Sequence, residues 1–250
     1  MLFRSGHDAV VARLLAGGAA VDLAKDDGTT PLFIAAMQGH DAVVARLLVG
    51  GAAVDLADDD GITPLFAAAQ QGHDAVVARL LAGGAAVDLA RKTDGATPLS
   101  IAAEQGHDAV VVRLLAGGAA VDLAMNDGAT PLFMAAENGH DAVVARLLAA
   151  GAAVDLAKDY GSTPLLLAAM FGHDAVVARL LAGGAAVDRA DDDGTTPLCK
   201  AAQFGHTAAV QQLLAAGAAL APGGIYWSPL RLAEHFKHDA VVALLRARAQ

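Results

Sequence analysis

The sequence is poor in the features that carry disulfide bonding, nucleic-acid binding or membrane insertion. Its single cysteine, Cys199, excludes an internal disulfide and is compatible with a reducing compartment. Lys and Arg number 17 against 27 Asp and Glu, and this net charge of −10 argues against nucleic acid, because a phosphate backbone attracts a basic surface. No apolar run approaches a spanning helix, and the N-terminus shows no signal-peptide pattern. We therefore expect an intracellular, cytoplasmic protein without membrane insertion.

Aromatic residues make up only 4% of the chain, so the few large rings are informative where they occur. Hydrophobic residues reach 55%, but much of this content is alanine, which allows helices to pack closely.

The chain is built from copies of one unit, for which residues 28–60 serve as the reference. The tripeptide Thr-Pro-Leu marks the register, and its steps are 33, 34, 33, 33, 33 and 32 residues, with serine replacing threonine in the last copy. A fixed period of this size predicts stacked supersecondary units. The register positions are Thr30, Thr63, Thr97, Thr130, Thr163, Thr196 and Ser228.

Each unit predicts two short helices followed by a turn. Thr30 is a suitable N-cap and Pro31 a suitable first residue for the first helix, which ends at Gly39. A second helix begins near Asp41, and its apolar stripe comprises Val43, Val44, Leu47 and Leu48. Residues 52–61 extend away from the second helix and return through an acidic turn to the next repeat. Neither helix could bury its apolar face alone, so we expect the copies to stack around one core.

The motif TPLFIAAMQGH followed by GAAVD resembles the ankyrin repeat family, and this resemblance covers nearly the whole chain. It implies an all-α solenoid of helix-turn-helix units with β-hairpin-like turns. It also implies a non-enzymatic module that binds a protein or peptide through a concave groove of hairpin tips and inner helices. One departure is consistent, because the family histidine after leucine is replaced in every copy, by Phe33, Phe66, Ser100, Phe133, Leu166, Cys199 and Arg231.

We interpret the chain as a single array and expect a monomer. Residues 1–26 form a partial N-terminal repeat, residues 27–220 six full repeats, and residues 221–250 a divergent capping repeat. The second helix of the partial repeat has no complete inner-helix partner, so we expect this end to be the least stable.

Three recurrent polar positions invite chemical interpretations, but each has a structural one. The histidines of Gly-His lie one repeat apart, too far to share a metal ion, so we expect them to bond backbone at the turn between the helices. The aspartate after valine, as in Asp55, fits an Asx-type bond at the hairpin base. Arg46 and the equivalent arginines can pack the aliphatic part of the side chain against the core while the guanidinium group stays in water. We predict no catalytic residue, no metal site and no cofactor.

Differences between the copies indicate a binding surface, because two hairpin-tip residues and the two residues before Gly-His vary within an otherwise constant frame. Acidic and amide residues dominate the early copies, and aromatic residues and methionine collect in the later ones, which predicts a partner with a basic segment and an apolar anchor. The candidate partner-binding residues are Asp26, Asp27, Met37, Gln38, Asp59, Asp60, Gln70, Gln71, Glu104, Gln105, Asp127, Glu137, Asn138, Asp159, Tyr160, Met170, Phe171, Asp192, Asp193, Gln203, Phe204, Trp227, His235 and Phe236.

Other hypotheses remain open at this point. The variation between copies could be drift after duplication. The chain could be the targeting fragment of a larger effector or enzyme, or a consensus-like scaffold or spacer without a natural ligand. The aromatic residues of the last copy could simply cover its core.

Overall fold

The computed structural model describes residues 8–220 and 228–249. All regular elements in these ranges are helical: fifteen α-helices and one short 3-10 turn at Asp159–Gly161, with no strand. The helices are α1 (Asp8–Ala16), α2 (Pro31–Met37), α3 (Asp41–Val49), α4 (Pro64–Gln70), α5 (Asp74–Ala82), α6 (Pro98–Glu104), α7 (Asp108–Ala116), α8 (Pro131–Glu137), α9 (Asp141–Ala149), α10 (Pro164–Phe171), α11 (Asp174–Ala182), α12 (Pro197–Phe204), α13 (Thr207–Ala215), α14 (Pro229–His235) and α15 (Asp239–Arg248).

The even-numbered helices, called inner helices here, begin as the sequence predicts. The backbone N–H of Phe33 donates to Thr30 Oγ1 at 3.1 Å, and Pro31 occupies the first turn, where no N–H is needed. In α6, Ser100 Oγ also accepts from the backbone N–H of Thr97 at 2.8 Å and completes a capping box. The other described inner helices have no such reciprocal bond, because an apolar residue, cysteine or arginine replaces the serine.

The odd-numbered helices are called outer helices, and those from α3 onward each bury apolar residues against the neighbouring helices. In α3 these residues are Val43, Val44 and Leu47, which are almost completely inaccessible to solvent. Except at Arg231, the residue that replaces the family histidine is buried too, as at Phe66 and Phe133. Apolar side chains therefore occupy this position in most repeats, whereas Ser100 is a buried polar residue and Arg231 is exposed.

The structure divides into two compact units, Met1–Asn126 and Asp127–Gln250. In the first unit α2, α4 and α6 pack in succession, as do α1, α3, α5 and α7. In the second unit α8, α10, α12 and α14 pack in succession, beside α9, α11, α13 and α15. Both units thus confirm the predicted class, an all-α stack of helix pairs. The predicted boundaries of the partial, full and capping repeats remain predictions.

The turns between repeats are hairpin-like without forming strands. The N–H of Asp58 donates to the carbonyl oxygen of Ile62 at 3.0 Å and closes one turn. The N–H of Asp59 donates to the carbonyl oxygen of Asp27 in the preceding repeat at 3.2 Å. Equivalent bonds join Lys92 to Asp60, Asn126 to Asp94, Asp159 to Asp127 and Asp192 to Tyr160. The turn tips are therefore held in register by backbone bonds.

The Gly-His histidines bond to backbone, as expected, but in the preceding repeat instead of their own turn. Nε2 of His73 donates to the carbonyl oxygen of Met37 at 3.1 Å. The ring lies so close to Gly39 that an added Cβ would approach it to 2.8 Å. The same bond joins His107 to Gln70, His173 to Glu137, His206 to Met170 and His238 to Gln203.

The expectation of an Asx-type bond for the aspartate after valine is wrong. The carboxylate of Asp55 accepts from the N–H of Ala86, with its two oxygens at 3.1 and 3.2 Å from the nitrogen. Asp22, Asp88, Asp155 and Asp188 make the equivalent bond to the next repeat. The reason is geometric, because stacking places the alanine N–H of the following repeat within reach of the carboxylate.

The guanidinium group of the recurrent arginine is not simply solvated, because it forms an ion pair between repeats. Arg79 pairs with Asp41 of the preceding repeat through two hydrogen bonds, and Nη2 lies 2.6 Å from Oδ2. Arg46 pairs in the same way with Asp8, Arg113 with Asp74, and Arg179 with Asp141. The guanidinium hydrogen bonds are the main cause that holds the pKa of Asp74 and of Asp141 below the ordinary value.

Candidate partner-binding surface

The candidate residues lie on two kinds of backbone support. One set occupies the turn tips, which the backbone bonds between repeats hold in place. The other set occupies the C-terminal ends of the inner helices, where a residue with positive φ follows each helix, such as Gly172 at 70°. Each unit is described by itself below.

In the first unit the candidate surface is polar. The exposed members are Asp26, Asp27, Gln38, Asp59, Asp60, Gln71 and Gln105, and Met37, Gln70 and Glu104 are half-buried. The tips therefore offer carboxylates, and the helix ends offer amides, one thioether and the carboxylate of Glu104. These groups can accept hydrogen bonds and attract cations, but they offer little apolar area to a partner.

Two of the candidate carboxylates are already engaged by the protein itself. Asp27 accepts from the N–H and the hydroxyl of Thr29 at 2.9 and 2.6 Å, and these bonds lower its pKa. In the second unit, burial raises the pKa of Asp127, but bonds from Lys158 and Ala129 outweigh burial and lower it overall. Asp59 and Asp60 are exposed, and neither side chain accepts a hydrogen bond from another described residue.

In the second unit the surface is mixed. Asn138, Asp159, Tyr160, Phe171, Asp192, Asp193, Phe204, His235 and Phe236 are exposed, while Asp127, Glu137, Met170 and Gln203 are half-buried. Trp227 lies outside the described residues. The second unit thus presents aromatic and acidic groups together.

Three phenylalanines, Phe171, Phe204 and Phe236, form what we call the aromatic row. They occupy one equivalent position in three successive repeats and are 46%, 45% and 45% exposed. The earlier repeats carry an amide there, in Gln38, Gln71, Gln105 and Asn138. Each ring lies beside the histidine of its own turn, with centroids 6.1 to 6.4 Å apart. Large apolar side chains therefore remain exposed where an amide is compatible with the fold.

Tyr160 is the most exposed aromatic side chain in the described part of the chain, at 82%. Its backbone is left-handed, with φ of 64°, a conformation that costs energy in a residue other than glycine. The other turn tips carry Asp27, Asp60, Asp94, Asp127 and Asp193 at this position. The tyrosine thus replaces a smaller residue at a position where its backbone is strained.

One part of this region is not predicted from the sequence. An open pocket in the second unit is lined in part by Thr195, Lys200 and Leu232, which are not among the candidate residues. The available signal was Lys200, because the equivalent residues in the other inner helices are Ile34, Ala67, Ile101, Met134, Leu167 and Leu232.

The described residues form neither a metal-binding cluster nor a membrane-spanning helix. Across residues 8–220 and 228–249, no group of three or more His, Cys, Asp or Glu side chains is placed to hold a metal ion. In the same ranges, no helix is long and apolar enough to cross a membrane.

Comparison with known families is consistent with this geometry. The family model described as ankyrin repeats (3 copies) matches residues 2–91, 76–158, 142–222 and 165–249. A search of curated proteins found no match to the chain. Since the matches cover nearly every residue and the helix pairs pack in sequence, the chain belongs to the ankyrin repeat family. Ankyrin repeats are generally protein–protein interaction modules and typically non-enzymatic.

Proposed function

We propose that this protein binds a protein or peptide partner through its turn tips and the C-terminal ends of its inner helices. The aromatic row carries the proposal, because exposed phenylalanine recurs at one position in three successive repeats. Aromatic residues and methionine are enriched at interface cores, and a few such residues carry most of the affinity. In the ankyrin repeat family the corresponding positions line the concave groove.

The partner's chemistry follows from the two kinds of surface. The exposed carboxylates of Asp59 and Asp60 suit a basic segment, because they attract cations during approach. The aromatic row suits an apolar anchor, which would become buried against the rings. The protein acts here as a monomer without a cofactor, and binding is its activity.

Partner capture tests this proposal. Tagged wild-type protein and a double variant, Phe171→Gln with Phe204→Gln, are used to recover partners from native lysate, followed by identification. Glutamine is the chain's own residue at equivalent positions Gln38 and Gln71, so the variant should fold. The matched control is Leu156→Gln, which removes an exposed apolar side chain, 41% accessible, from a repeat of the same unit.

We expect the control to recover the same partners as the wild type and the double variant to lose them. Equal recovery by all three folded proteins would show that the aromatic row is not the binding surface.

A further inference from the structure

The second unit contains an open pocket of about 410 Å³ between α12, α14 and the turn that precedes α12. Leu232 of α14 and Phe236, which directly follows α14, supply apolar walls, and Lys200 and Gln203 supply polar groups from α12. Asp193 and Thr195 contribute from the turn. The pocket thus combines an apolar wall with a cation in a volume large enough for one residue of a partner.

Lys200 is the unusual member of this lining. It is half-buried, and no ion pair among the described residues involves it. A cation that is partly removed from water gains from an anionic partner, since the interaction is stronger where water is excluded. Asp193 lines the same pocket and is exposed, but it does not pair with Lys200. The pocket therefore favours a ligand that carries its own anion.

We propose that this pocket holds the C-terminal residue of the partner, with an apolar side chain against Leu232 and Phe236 and the α-carboxylate paired with Lys200. The inference rests on the proposed function and specifies the apolar anchor. A chain end carries its carboxylate and its side chain on the same Cα, so both fit into one pocket of this size. The hydroxyl of Thr195 and the amide of Gln203 can donate to the second carboxylate oxygen.

The acidic residue of the pocket lining is compatible with the same orientation of the partner. Asp193 is an exposed residue of the pocket lining, and its carboxylate can accept from a backbone N–H or a basic side chain of the partner's preceding residues. This agrees with a basic segment upstream of the apolar end.

A selection followed by synthesis tests the inference. Random decapeptides displayed with free C-termini are selected on the full chain, and the best binder is synthesised as the free acid and as the C-terminal amide. Dissociation constants are measured by fluorescence anisotropy for the wild type, Lys200→Met and Arg231→Met. The arginine control removes an exposed cation from α14 that is not part of the pocket lining. Circular dichroism verifies that each variant is folded.

We expect selected peptides to end in an apolar residue and amidation to weaken binding to the wild type by roughly tenfold or more, as for the loss of a charged hydrogen bond. Lys200→Met should bind the acid and the amide equally, and Arg231→Met should behave like the wild type.

Several outcomes would overturn the inference. Equal binding of the acid and the amide to the wild type would exclude a chain-end carboxylate. Selected peptides whose binding depends on Lys200 through an internal acidic residue would exclude it as well. Failure to select any peptide would also refute it. If acid and amide bind equally but binding requires Phe171 and Phe204, the inference fails while the proposed function stands.

Discussion

At the scale of single residues, three side chains of the repeat connect successive copies within a unit. His107 bonds to the backbone of Gln70, Asp55 bonds to the backbone of Ala86, and Arg79 pairs with Asp41. These residues belong to the nearly constant part of the repeat, HDAVVARLLAGGAAVD. Their constancy between copies therefore has a physical basis in stacking and needs no catalytic role.

The histidine contact predicts a difference between two glycines with similar backbone. Gly72 has φ of 74° and an added Cβ would lie 2.7 Å from the ring of His107, whereas Gly84 has φ of 87° and nothing within 4 Å. Alanine at either position should cost about 1–2 kcal/mol for the left-handed backbone. We expect Gly72→Ala to cost about 1 kcal/mol more than Gly84→Ala, since the ring must move away from its carbonyl partner. Urea unfolding measures both, and equal losses would contradict the proposed role of the ring.

The arginine pairs predict a pH dependence of stability. The pKa of Asp141 is lower in the folded protein than its ordinary value, chiefly because of hydrogen bonds from Arg179. A lowered folded-state pKa contributes stability that is present above the unfolded pKa, about 3.9, and is lost as the pH falls through the folded value. Asp141→Asn should therefore reduce the free energy of unfolding at pH 7 by less than about 1 kcal/mol, as for other exposed pairs.

This difference between Asp141→Asn and the wild type should shrink as the pH falls below about 4, when the wild-type carboxylate becomes protonated. Denaturant titrations at pH 7 and in acid test the prediction. Asp193→Asn, at an exposed aspartate outside the described ion pairs, serves as the control. An undiminished difference in acid would rule out the ion pair as the cause.

At the scale of elements, α1 and α7 differ at only one residue, Ala12 against Val112, but bury different amounts of surface. In α7 the described core includes Val110, Val111 and Leu114, but in α1 only Val11 is buried. Leu14 is equivalent to Leu114, yet it is 40% exposed. Element stability in this fold thus depends on neighbours more than on helix propensity.

This contrast predicts faster local opening of α1. Because burying one leucine contributes roughly 1.5–3 kcal/mol, amides of α1 should exchange at least about tenfold faster than those of α7. Hydrogen exchange on the intact chain, resolved by peptide, gives the comparison within one unit. Equal protection of the two helices would show that another contact covers α1.

The helices could be predicted from the sequence, whereas most contacts between repeats could not. Thr30, Pro31 and Gly39 determine helix ends through local backbone chemistry, so their pattern is sufficient. The pairing of Arg79 with Asp41 depends on how successive outer helices stack, which no local pattern specifies. The exposure of Phe171 was predictable from its departure from the amide of earlier copies, but the pocket at Lys200 required the packing of α12 against α14.

At the scale of the whole molecule, the two units carry different surface chemistry. The candidate residues of Met1–Asn126 are acidic or amide with one methionine, whereas those of Asp127–Gln250 include Tyr160 and the aromatic row. The whole chain has a net charge of −10. A basic partner would therefore be attracted over a long range, while its affinity would depend on apolar contacts.

This division predicts distinct kinetic effects for the acidic residues. Asp59→Asn with Asp60→Asn should slow association of the captured partner and flatten its dependence on ionic strength, because screened long-range attraction acts mainly on association. Stopped-flow measurements between low and physiological salt provide the test. An unchanged salt dependence in the folded variant would exclude these two carboxylates from steering.

The dissociation rate of the captured partner tests the central claim most directly. It is measured by surface plasmon resonance for the wild type, for Phe171→Gln with Phe204→Gln, and for the Leu156→Gln control. We predict that the double variant loses roughly 2 kcal/mol of binding free energy, about 30-fold in affinity, mostly through faster dissociation. The control should match the wild type. A double variant that is folded and releases the partner at the wild-type rate would contradict binding through the aromatic row.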